Sequence, residues 1–337
     1  MRVLLVTPEF RGYWQSYKSA LEELGHNVKV HQYDNFHTAG IFAVDKLVDR
    51  LPERLASPAR TLTLTRRVTH KALAYLDSVQ VDVALIIKGD LLEHQFWDAL
   101  ERRRIPSVLY LYDELARMQH TAETLRRPGH VATYSPRDCR RLKEEGYPAT
   151  FVPLSFDPKL AFNPVHQDAV VFVGARYPQR ESLLVDLHER GVPVVAYGRE
   201  WSHRPVDRLL SLKPRRLQIA GHPDVTLPES YGLAAGAAAA INIHVGGPGA
   251  EFDGINSRTF EICGVGGLQL SDRSDVDSFY DIGTEILVYR SPAELEDLAQ
   301  RAVKDRGWSN KIREAGRRRT LAEHTCLHRV QDLVELW

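Results

Sequence analysis

Short apolar runs alternate along the chain with longer segments in which apolar and polar residues mix. This alternation is typical of parallel β-sheets whose strands are joined by crossover helices. In the first half the apolar runs predict six strands, at residues 3–6, 28–31, 83–87, 107–111, 130–133 and 150–152. In the second half they predict six more, at 169–173, 192–196, 217–220, 239–244, 267–270 and 285–289. We therefore predict an α/β protein with two parallel sheets.

A proline-punctuated stretch, residues 153–164, interrupts the alternation and predicts a linker. It separates two predicted Rossmann-like domains, at residues 1–157 and 165–320, which agrees with a chain of 337 residues. We expect the linker to act as a hinge and the two sheets to face a cleft. Three helices are predicted near the C-terminus, at residues 292–304, 309–321 and 327–336.

Charge and cysteine content argue against several classes of protein. The 44 basic residues balance 44 acidic ones, so no global field attracts nucleic acid or an anionic membrane. The three cysteines lack the spacing of a disulfide framework or a zinc site. The N-terminus lacks a signal peptide's apolar region, and the alanine-rich run at 232–243 is shorter than the ~20 residues of a membrane helix. We expect a cytoplasmic protein without a membrane span or a structural metal.

The segment from Asp253 to Glu261 carries the strongest functional signal, two carboxylates eight residues apart around a predicted helix start. Asn256 or Ser257 can cap that helix, so that its N–H groups face an anion such as a diphosphate. Arg258 adds a fixed positive charge there. Glu261 can accept two hydrogen bonds from the paired hydroxyls of a ribose. The pattern suits a sugar nucleotide, although a capped core helix has the same signature.

Two motifs in this half read Asn256-x-Arg258-x-Phe260-Glu261 and His324-Thr325-x-x-His328-Arg329. Together with the glycines after the first, they resemble the C-terminal half of CgeB-like glycosyltransferases. The resemblance implies the GT-B fold, with a C-terminal helix in residues 321–337 that packs back on the N-terminal domain.

The spacing of Asp253 and Glu261 is also similar to the Glu-x7-Glu element of retaining GT-B enzymes such as those of family 4. Asp253 occupies the first position and is shorter than glutamate by one methylene. It is a candidate catalytic residue on the basis of that resemblance, and its equivalence to glutamate stays open.

Further candidates for the donor site follow strands of the second half, because open α/β sheets bind ligands outside the carboxyl ends of their strands. They are Gly174, Arg176, Arg180, Gly198, Arg199 and His244. An arginine can meet phosphate oxygens through its planar fork. The family has a similar glycine and Tyr-Pro-x-Arg passage at Arg180. Each of these candidates has an alternative interpretation. Arg180 can be a solvated arginine on a helix face, Gly198-Arg199 an ordinary turn, and His244 a structural histidine.

The first half supplies Gly12, Lys88 and Asp90 as candidates for the acceptor side and Asp113 as a catalytic candidate. Asp113 follows a predicted strand, where a carboxylate can take the proton of an attacking hydroxyl. It can equally cap the next helix, and in a retaining enzyme the donor's phosphate can take that proton. No Asp-x-Asp metal signature lies at the end of a predicted strand, so we expect arginines and a helix N-terminus to balance the diphosphate, with no cofactor required.

The predicted function is a hexosyltransferase that moves a sugar from a nucleotide-diphosphate sugar, foremost a UDP-sugar, to a hydroxyl. The acceptor stays open among small molecules, glycans, proteins and modified nucleic acids, as does the choice between retention and inversion. Two alternatives are a sugar-nucleotide-binding protein without transferase activity and a sugar-nucleotide epimerase. The epimerase would need acid–base pairs on both faces of the sugar. The first strand is followed by Thr7-Pro8-Glu9-Phe10 and not by the Gly-x-Gly-x-x-Gly of a Rossmann oxidoreductase. The sequence therefore argues against an oxidoreductase of that class.

Overall fold

The computed structural model describes residues 1–34, 58–202, 219–244 and 252–337. The chain divides into two compact units. Unit 1 comprises Met1–Pro153 and Arg329–Trp337, and unit 2 comprises Leu154–His328. Within the described ranges, no helix is long and apolar enough to cross a membrane.

Unit 1 is built on a parallel β-sheet. Its strands are β1 (Arg2–Thr7), β2 (Asn27–Gln32), β3 (Val83–Ile87), β4 (Ser107–Leu111), β5 (His130–Thr133) and β6 (Ala149–Phe151). They pair in the order β2-β1-β3-β4-β5-β6. Every residue of β3 and β4 is buried, which explains why these strands are continuous apolar runs in the sequence.

Helices follow most strands of unit 1. They are α1 (Tyr13–Glu23), α2 (Pro58–Ser78), α3 (His94–Arg102), α4 (Ala122–Leu125) and α5 (Pro136–Glu144). Short 3₁₀ turns lie at Phe10–Gly12 and Leu115–Arg117. In α3 the buried residues are Phe96, Trp97, Ala99 and Leu100, the spacing of one helical face.

Unit 2 repeats the same plan. Its strands are β7 (Gln167–Val173), β8 (Val194–Tyr197), β9 (Ala220–His222), β10 (Ala237–Asn242), β11 (Gln269–Ser271) and β12 (Leu287–Val288). They form a parallel sheet in the order β12-β11-β10-β7-β8-β9. The central pair, β10 and β7, therefore brings the residues after Val173 close to those after Asn242.

The described helices of unit 2 are α6 (Pro178–Glu189), α7 (Leu227–Gly236), α8 (Ser257–Gly264), α9 (Pro292–Lys304) and α10 (Arg306–Glu323). A 3₁₀ turn lies at Asp275–Ser278. The last helix, α11 (Cys326–Val334), begins in unit 2 and has its later residues in unit 1. There the ring of Trp337 lies 5.5 Å from that of His26.

The alanine-rich run divides into the end of α7 and the whole of β10. Two glycines of α7 explain why small residues are needed there. A Cβ on Gly232 would lie 2.2 Å from the carbonyl oxygen of Asn163, and one on Gly236 would lie 2.2 Å from that of Val165. Thus α7 packs directly on the backbone that leads into β7.

The predicted alternation is confirmed, with small shifts in several strand limits. The predicted strand at 217–220 is observed as Ala220–His222, and residues 217 and 218 lie outside the described part of the chain. The strand predicted at 285–289 pairs only over Leu287–Val288. Strand β10 begins two residues earlier than predicted, directly after α7.

Candidate functional site

The carboxyl edge of the unit 2 sheet gathers most of the predicted donor residues. Gly174 follows β7, Gly198 follows β8, and His244 lies two residues beyond β10. Asp272 follows β11, the neighbour of β10. Sequence reasoning did not select Asp272, because its importance depends on which strands are adjacent.

The start of α8 is held by Asn256. Its side-chain oxygen accepts a hydrogen bond from the N–H of Thr259 at 3.2 Å, so the residue that caps the helix is Asn256. The amide of Asn242, the last residue of β10, forms two reciprocal hydrogen bonds with the amide of Asn256, at 3.1 and 2.9 Å. Ser257 is the first residue of the helix. The sequence left Asn256 and Ser257 as equal candidates for the cap and did not select Asn242.

Glu261 is a buried carboxylate, with 4% of its surface exposed. It lines a small cavity together with Arg258. The rest of the lining comes from β7, α7, β10 and α8, namely Val173, Ser230, Tyr231, Ala234, Ala240, Ile241 and Ile262. One acidic side chain, Glu261, and one basic side chain, Arg258, therefore line the cavity. The rest of its wall is apolar except for the hydroxyl-bearing residues Ser230 and Tyr231.

Arg180 is buried at the start of α6 and is not a solvated arginine. Its guanidinium donates to the carbonyl oxygen of Ile243 at 2.6 Å and to that of Ala175 at 3.2 Å. It also lies over the ring of Tyr177, 4.9 Å from the ring centroid. Arg180 therefore fixes the backbone immediately before His244.

Arg176 is also buried, and its charge is balanced within the protein. Its guanidinium makes two hydrogen bonds to the carboxylate of Glu181, at 3.0 and 2.6 Å. A third goes to the carbonyl oxygen of Glu200 at 3.3 Å. This geometry gives Arg176 a bracing role in the loops after β7 and β8.

Gly198 lies where two backbone segments meet. Its φ is +137°, and a Cβ at this position would lie 2.2 Å from the carbonyl oxygen of Gly174. That oxygen accepts a hydrogen bond from the indole N–H of Trp201 at 2.8 Å. The two glycines therefore allow the turns after β7 and β8 to touch. The side chain of Arg199, next to them, is exposed.

His244, which is buried, forms a dyad with Asp272, which is half-buried. The Nδ1 atom of His244 lies 2.7 Å from Oδ1 of Asp272, and the backbone N–H of His244 donates to the same carboxylate at 3.0 and 3.2 Å. Burial lowers the pKa of His244, against the opposing effect of Asp272. The positive charges of Arg273 and Arg258 lower the pKa further. His244 is therefore neutral near pH 7, with its proton on Nδ1, because a carboxylate can only accept.

Asp253 is half-buried in the segment before α8, and Arg273 holds that segment. The guanidinium of Arg273 donates to the carbonyl oxygens of Phe252 and Asp253, at 3.2 and 3.1 Å. It also pairs with Asp275 through its Nε, at 2.8 Å. Thus Arg273 positions the backbone of the first carboxylate of the motif.

The late motif caps the last helix. The hydroxyl of Thr325 lies 2.7 Å from Nδ1 of His328, and its N–H donates to the same nitrogen at 3.3 Å. His324 packs on Phe260, with the ring centroids 5.2 Å apart. It therefore contacts α8 at the residue next to Glu261.

In unit 1 the acceptor-side candidates lie at the carboxyl edge of that unit's own sheet. Gly12 precedes α1 with a φ of +77°. Lys88 and Gly89 follow β3 with φ of +63° and +68°, and the ammonium of Lys88 lies 3.9 Å from the carboxylate of Asp90. His120 Nε2, 2.7 Å from the carbonyl oxygen of Lys88, braces this turn. Sequence reasoning missed His120, since a single histidine carries no spacing signal.

Asp113 forms an ion pair with Arg117 at 2.9 Å and accepts a hydrogen bond from the N–H of Glu114 at 3.0 Å. The residue that precedes the 3₁₀ turn is Glu114, so Asp113 does not cap it. The carboxylate that contacts the start of the turn is Asp138, which accepts from the N–H of Leu115 at 2.8 Å. The geometry therefore does not support the alternative in which Asp113 caps this turn.

Across the described ranges, no group of three or more His, Cys, Asp or Glu side chains is arranged to hold a metal ion. None of the three cysteines forms a disulfide, and all three are buried.

Comparison with known proteins finds a family match and several similar solved structures. Residues 179–335 match the family model described as glycosyl transferase-like. No curated protein matches the chain in sequence.

Three solved structures show the likeness over nearly the whole chain. The glycosyltransferase AviGT4 of avilamycin A biosynthesis is 15% identical, with a TM-score of 0.59 over 100% of this chain and 97% of its own. Anabaena HepE in complex with UDP-glucose is 13% identical, with a TM-score of 0.62 over 99% of each chain. A putative UDP-N-acetylglucosamine 2-epimerase from Listeria monocytogenes is 11% identical, with a TM-score of 0.59 over 98% of this chain and 94% of its own.

At such identities the likeness establishes the fold and leaves the activity to be argued from the site. The predicted fold class is confirmed, whereas the CgeB-like subtype stays a prediction. The chain has the GT-B fold, and its residues 179–335 carry the glycosyl transferase-like match.

Proposed function

We propose that the chain is a hexosyltransferase that takes a sugar from a nucleotide-diphosphate sugar and transfers it to a hydroxyl of an acceptor. One observation carries the proposal: Arg258 and Glu261 line the same cavity at α8, within the stretch that matches the glycosyl transferase-like model. A guanidinium and a carboxylate placed together suit a ligand in which a diphosphate joins hydroxyl-bearing sugars.

The proposed donor is a UDP-sugar. HepE was solved with UDP-glucose, and the S. aureus protein MnaA, which has the same fold at 10% identity, was solved with UDP. In this chain the diphosphate would meet the N-terminus of α8, because the first N–H groups of a helix and its dipole favour an anion. Arg258 would add the counter-charge, and Glu261 would accept hydrogen bonds from the ribose.

The contacts of the remaining donor candidates separate those that would touch the nucleotide from those that position other residues. The exposed side chain of Arg199 is assigned to direct contact with the nucleotide, together with Ser257. Arg176 and Arg180, which hold Glu181 and the Ile243 carbonyl, are assigned to positioning. Gly174 and Gly198 would keep the neighbouring turns clear of side chains.

We assign Asp253 to the transferred sugar and the unit 1 residues Gly12, Lys88 and Asp90 to the acceptor. Asp113 is the proposed base for the acceptor's hydroxyl. If the reaction retains configuration and the donor's phosphate takes the proton, Asp113→Asn keeps its activity. If Asp113 is the base, that substitution abolishes transfer without changing donor affinity.

A thermal-shift screen with UDP-, GDP-, ADP- and dTDP-sugars tests donor binding, because a ligand that binds only the folded state raises the melting temperature. Product analysis then distinguishes the proposal from its two alternatives. A transferase releases free nucleoside diphosphate, by transfer or by slow hydrolysis. An epimerase yields a new sugar nucleotide without that release, and a binding protein yields neither. The absence of any stabilising nucleotide sugar would refute the proposal.

A further inference from the structure

In the pair of His244 and Asp272, one ring nitrogen of the buried histidine makes no hydrogen bond to the described residues. Oδ1 of Asp272 lies 2.7 Å from Nδ1 of the imidazole. The other ring nitrogen, Nε2, is enclosed and has no hydrogen-bond partner in the described part of the chain. His244 as a whole is 5% exposed. A buried polar atom without a partner is costly, so its retention calls for a functional reason.

The protonation of the ring follows from its surroundings. A carboxylate only accepts hydrogen bonds, so Nδ1 carries the proton and Nε2 carries a lone pair. The charged and titratable groups that act on His244 are Asp272, Arg273 and Arg258, and burial outweighs the effect of the carboxylate. A neutral ring in this tautomer offers an acceptor at Nε2, which suits a hydroxyl and repels a phosphate oxygen.

The geometry of Asp272 makes this orientation rigid. Its carboxylate receives both the imidazole and the backbone N–H of His244, and its own N–H donates to the carbonyl oxygen of Asn242 at 3.3 Å. On the other side, Arg180 holds the carbonyl of Ile243 at 2.6 Å. The ring is thus fixed from two neighbouring strands and from α6, as a preorganised binding group should be.

We propose that Asp272 is a positioning residue that keeps the proton of His244 on Nδ1, so that Nε2 accepts a hydrogen bond from a hydroxyl of the transferred sugar. The inference rests on the proposed function and extends it by assigning recognition of the sugar, as distinct from the nucleotide, to this dyad. Because Nε2 has no exposed surface in the free protein, the sugar must displace the atoms that cover it.

The substitution Asp272→Asn tests the role of the carboxylate. Its side-chain oxygen can still accept from the backbone N–H of His244, which leaves the NH₂ group to donate to Nδ1. The proton must then move to Nε2, which becomes a donor in place of an acceptor, as in the aspartate-to-asparagine variant of serine proteases. Asp277→Asn is the matched control, because Asp277 is an exposed acid in the 3₁₀ turn of the same unit.

Two measurements on the full chain decide the proposal. Nitrogen-15 NMR of histidine-labelled protein, with His244 assigned by its loss in His244→Gln, should show a proton on Nδ1 in the wild type and on Nε2 in Asp272→Asn. Titration calorimetry should show that Asp272→Asn binds UDP-glucose about tenfold more weakly and UDP within about twofold of wild type. Asp277→Asn should match the wild type for both ligands.

The contradicting results separate this inference from the proposed function. A wild-type ring protonated on Nε2 would overturn the inference even if Asp272→Asn failed to fold. If Asp272→Asn lost affinity equally for UDP and UDP-glucose, or for neither, the inference would also be overturned, whereas the proposed donor site would not be contradicted. Wild-type protein that binds neither ligand would overturn this inference and the choice of a UDP-sugar as donor, whereas the screen of the other nucleotide sugars decides the proposed function.

Discussion

Asn242 and Asn256 join the end of β10 to the start of α8 through two reciprocal amide hydrogen bonds, at 3.1 and 2.9 Å. Asn242 is fully buried, and its amide also donates to the hydroxyl of Thr259 at 3.0 Å. The helix that carries Arg258 and Glu261 is therefore fixed to the central strand of unit 2 at the residue that caps it.

Replacement of Asn242 by alanine should loosen this attachment. We expect Asn242→Ala to destabilise unit 2 by about 1–3 kcal/mol, because the half-buried side chain of Asn256 and the buried side chain of Thr259 lose a hydrogen-bond partner. Donor affinity should fall as well, since α8 would no longer be held in place. Urea unfolding and titration calorimetry measure the two effects, with the exposed Asn310→Ala as control. An Asn242→Ala protein as stable as the control would remove the amide pair from this role.

Gly198 should tolerate no side chain. The Cβ of Gly198→Ala would collide with the Gly174 carbonyl, so we expect a loss of more than about 2 kcal/mol. Gly191→Ala is the matched control, because Gly191 also has a positive φ, +85°, but nothing lies within 4 Å of its Cβ position. The control should cost only the ~1–2 kcal/mol of a left-handed residue. Equal urea midpoints for the two variants would contradict the predicted contact.

The histidine of β2 should make unit 1 sensitive to acid. Burial, helped by the charge of Lys71, lowers the pKa of His31 to about 4. The unfolded chain, with a pKa near 6.5, binds a proton that the folded chain does not, so stability is full above about pH 6.5 and falls toward pH 4.

His31→Phe preserves a ring that can stack on Tyr75, whose centroid lies 5.1 Å from that of His31. We expect the urea midpoint of this variant to fall less steeply than that of wild type between pH 6.5 and 4. The exposed His188→Gln variant should retain the wild-type slope. Parallel slopes for His31→Phe and wild type would show that His31 does not titrate with folding.

Arg180 should affect turnover more than donor binding. Arg180→Lys keeps the charge but cannot reach both the Ile243 and Ala175 carbonyls as the guanidinium does. We expect kcat for donor hydrolysis to fall about tenfold, with a smaller change in donor affinity, because the backbone before His244 shifts. Arg318→Lys, at an exposed site of α10, serves as control for kcat. A raised KM with unchanged kcat would instead assign Arg180 to ground-state binding.

The fold could be predicted because buried parallel strands are continuous apolar runs. The strands at Val83–Ile87, Ser107–Leu111 and His130–Thr133 match their predicted limits for this reason. Short strands were harder to delimit. At Leu287–Val288 only two residues pair, although the apolar run is longer.

The partners within the candidate site could not be predicted in the same way. The pairing of His244 with Asp272 requires β11 to lie beside β10, and the order of strands in a sheet cannot be predicted from a local sequence pattern. Arg180 was read as a phosphate ligand from a motif, whereas its contact with the Ile243 carbonyl bridges 63 residues of sequence. The cap of α8 could be predicted, because an Asn before a helix acts through residues three positions away.

Titration of UDP-glucose into wild type and Glu261→Ala tests the central claim most directly, that α8 binds a nucleotide sugar. We predict that the variant stays folded by circular dichroism and loses about 1.5–3 kcal/mol of binding free energy, because hydrogen bonds to a charged carboxylate are removed. Glu189→Ala, an exposed acid at the end of α6, should bind as the wild type does. A folded Glu261→Ala protein with wild-type affinity for UDP-glucose would contradict the account.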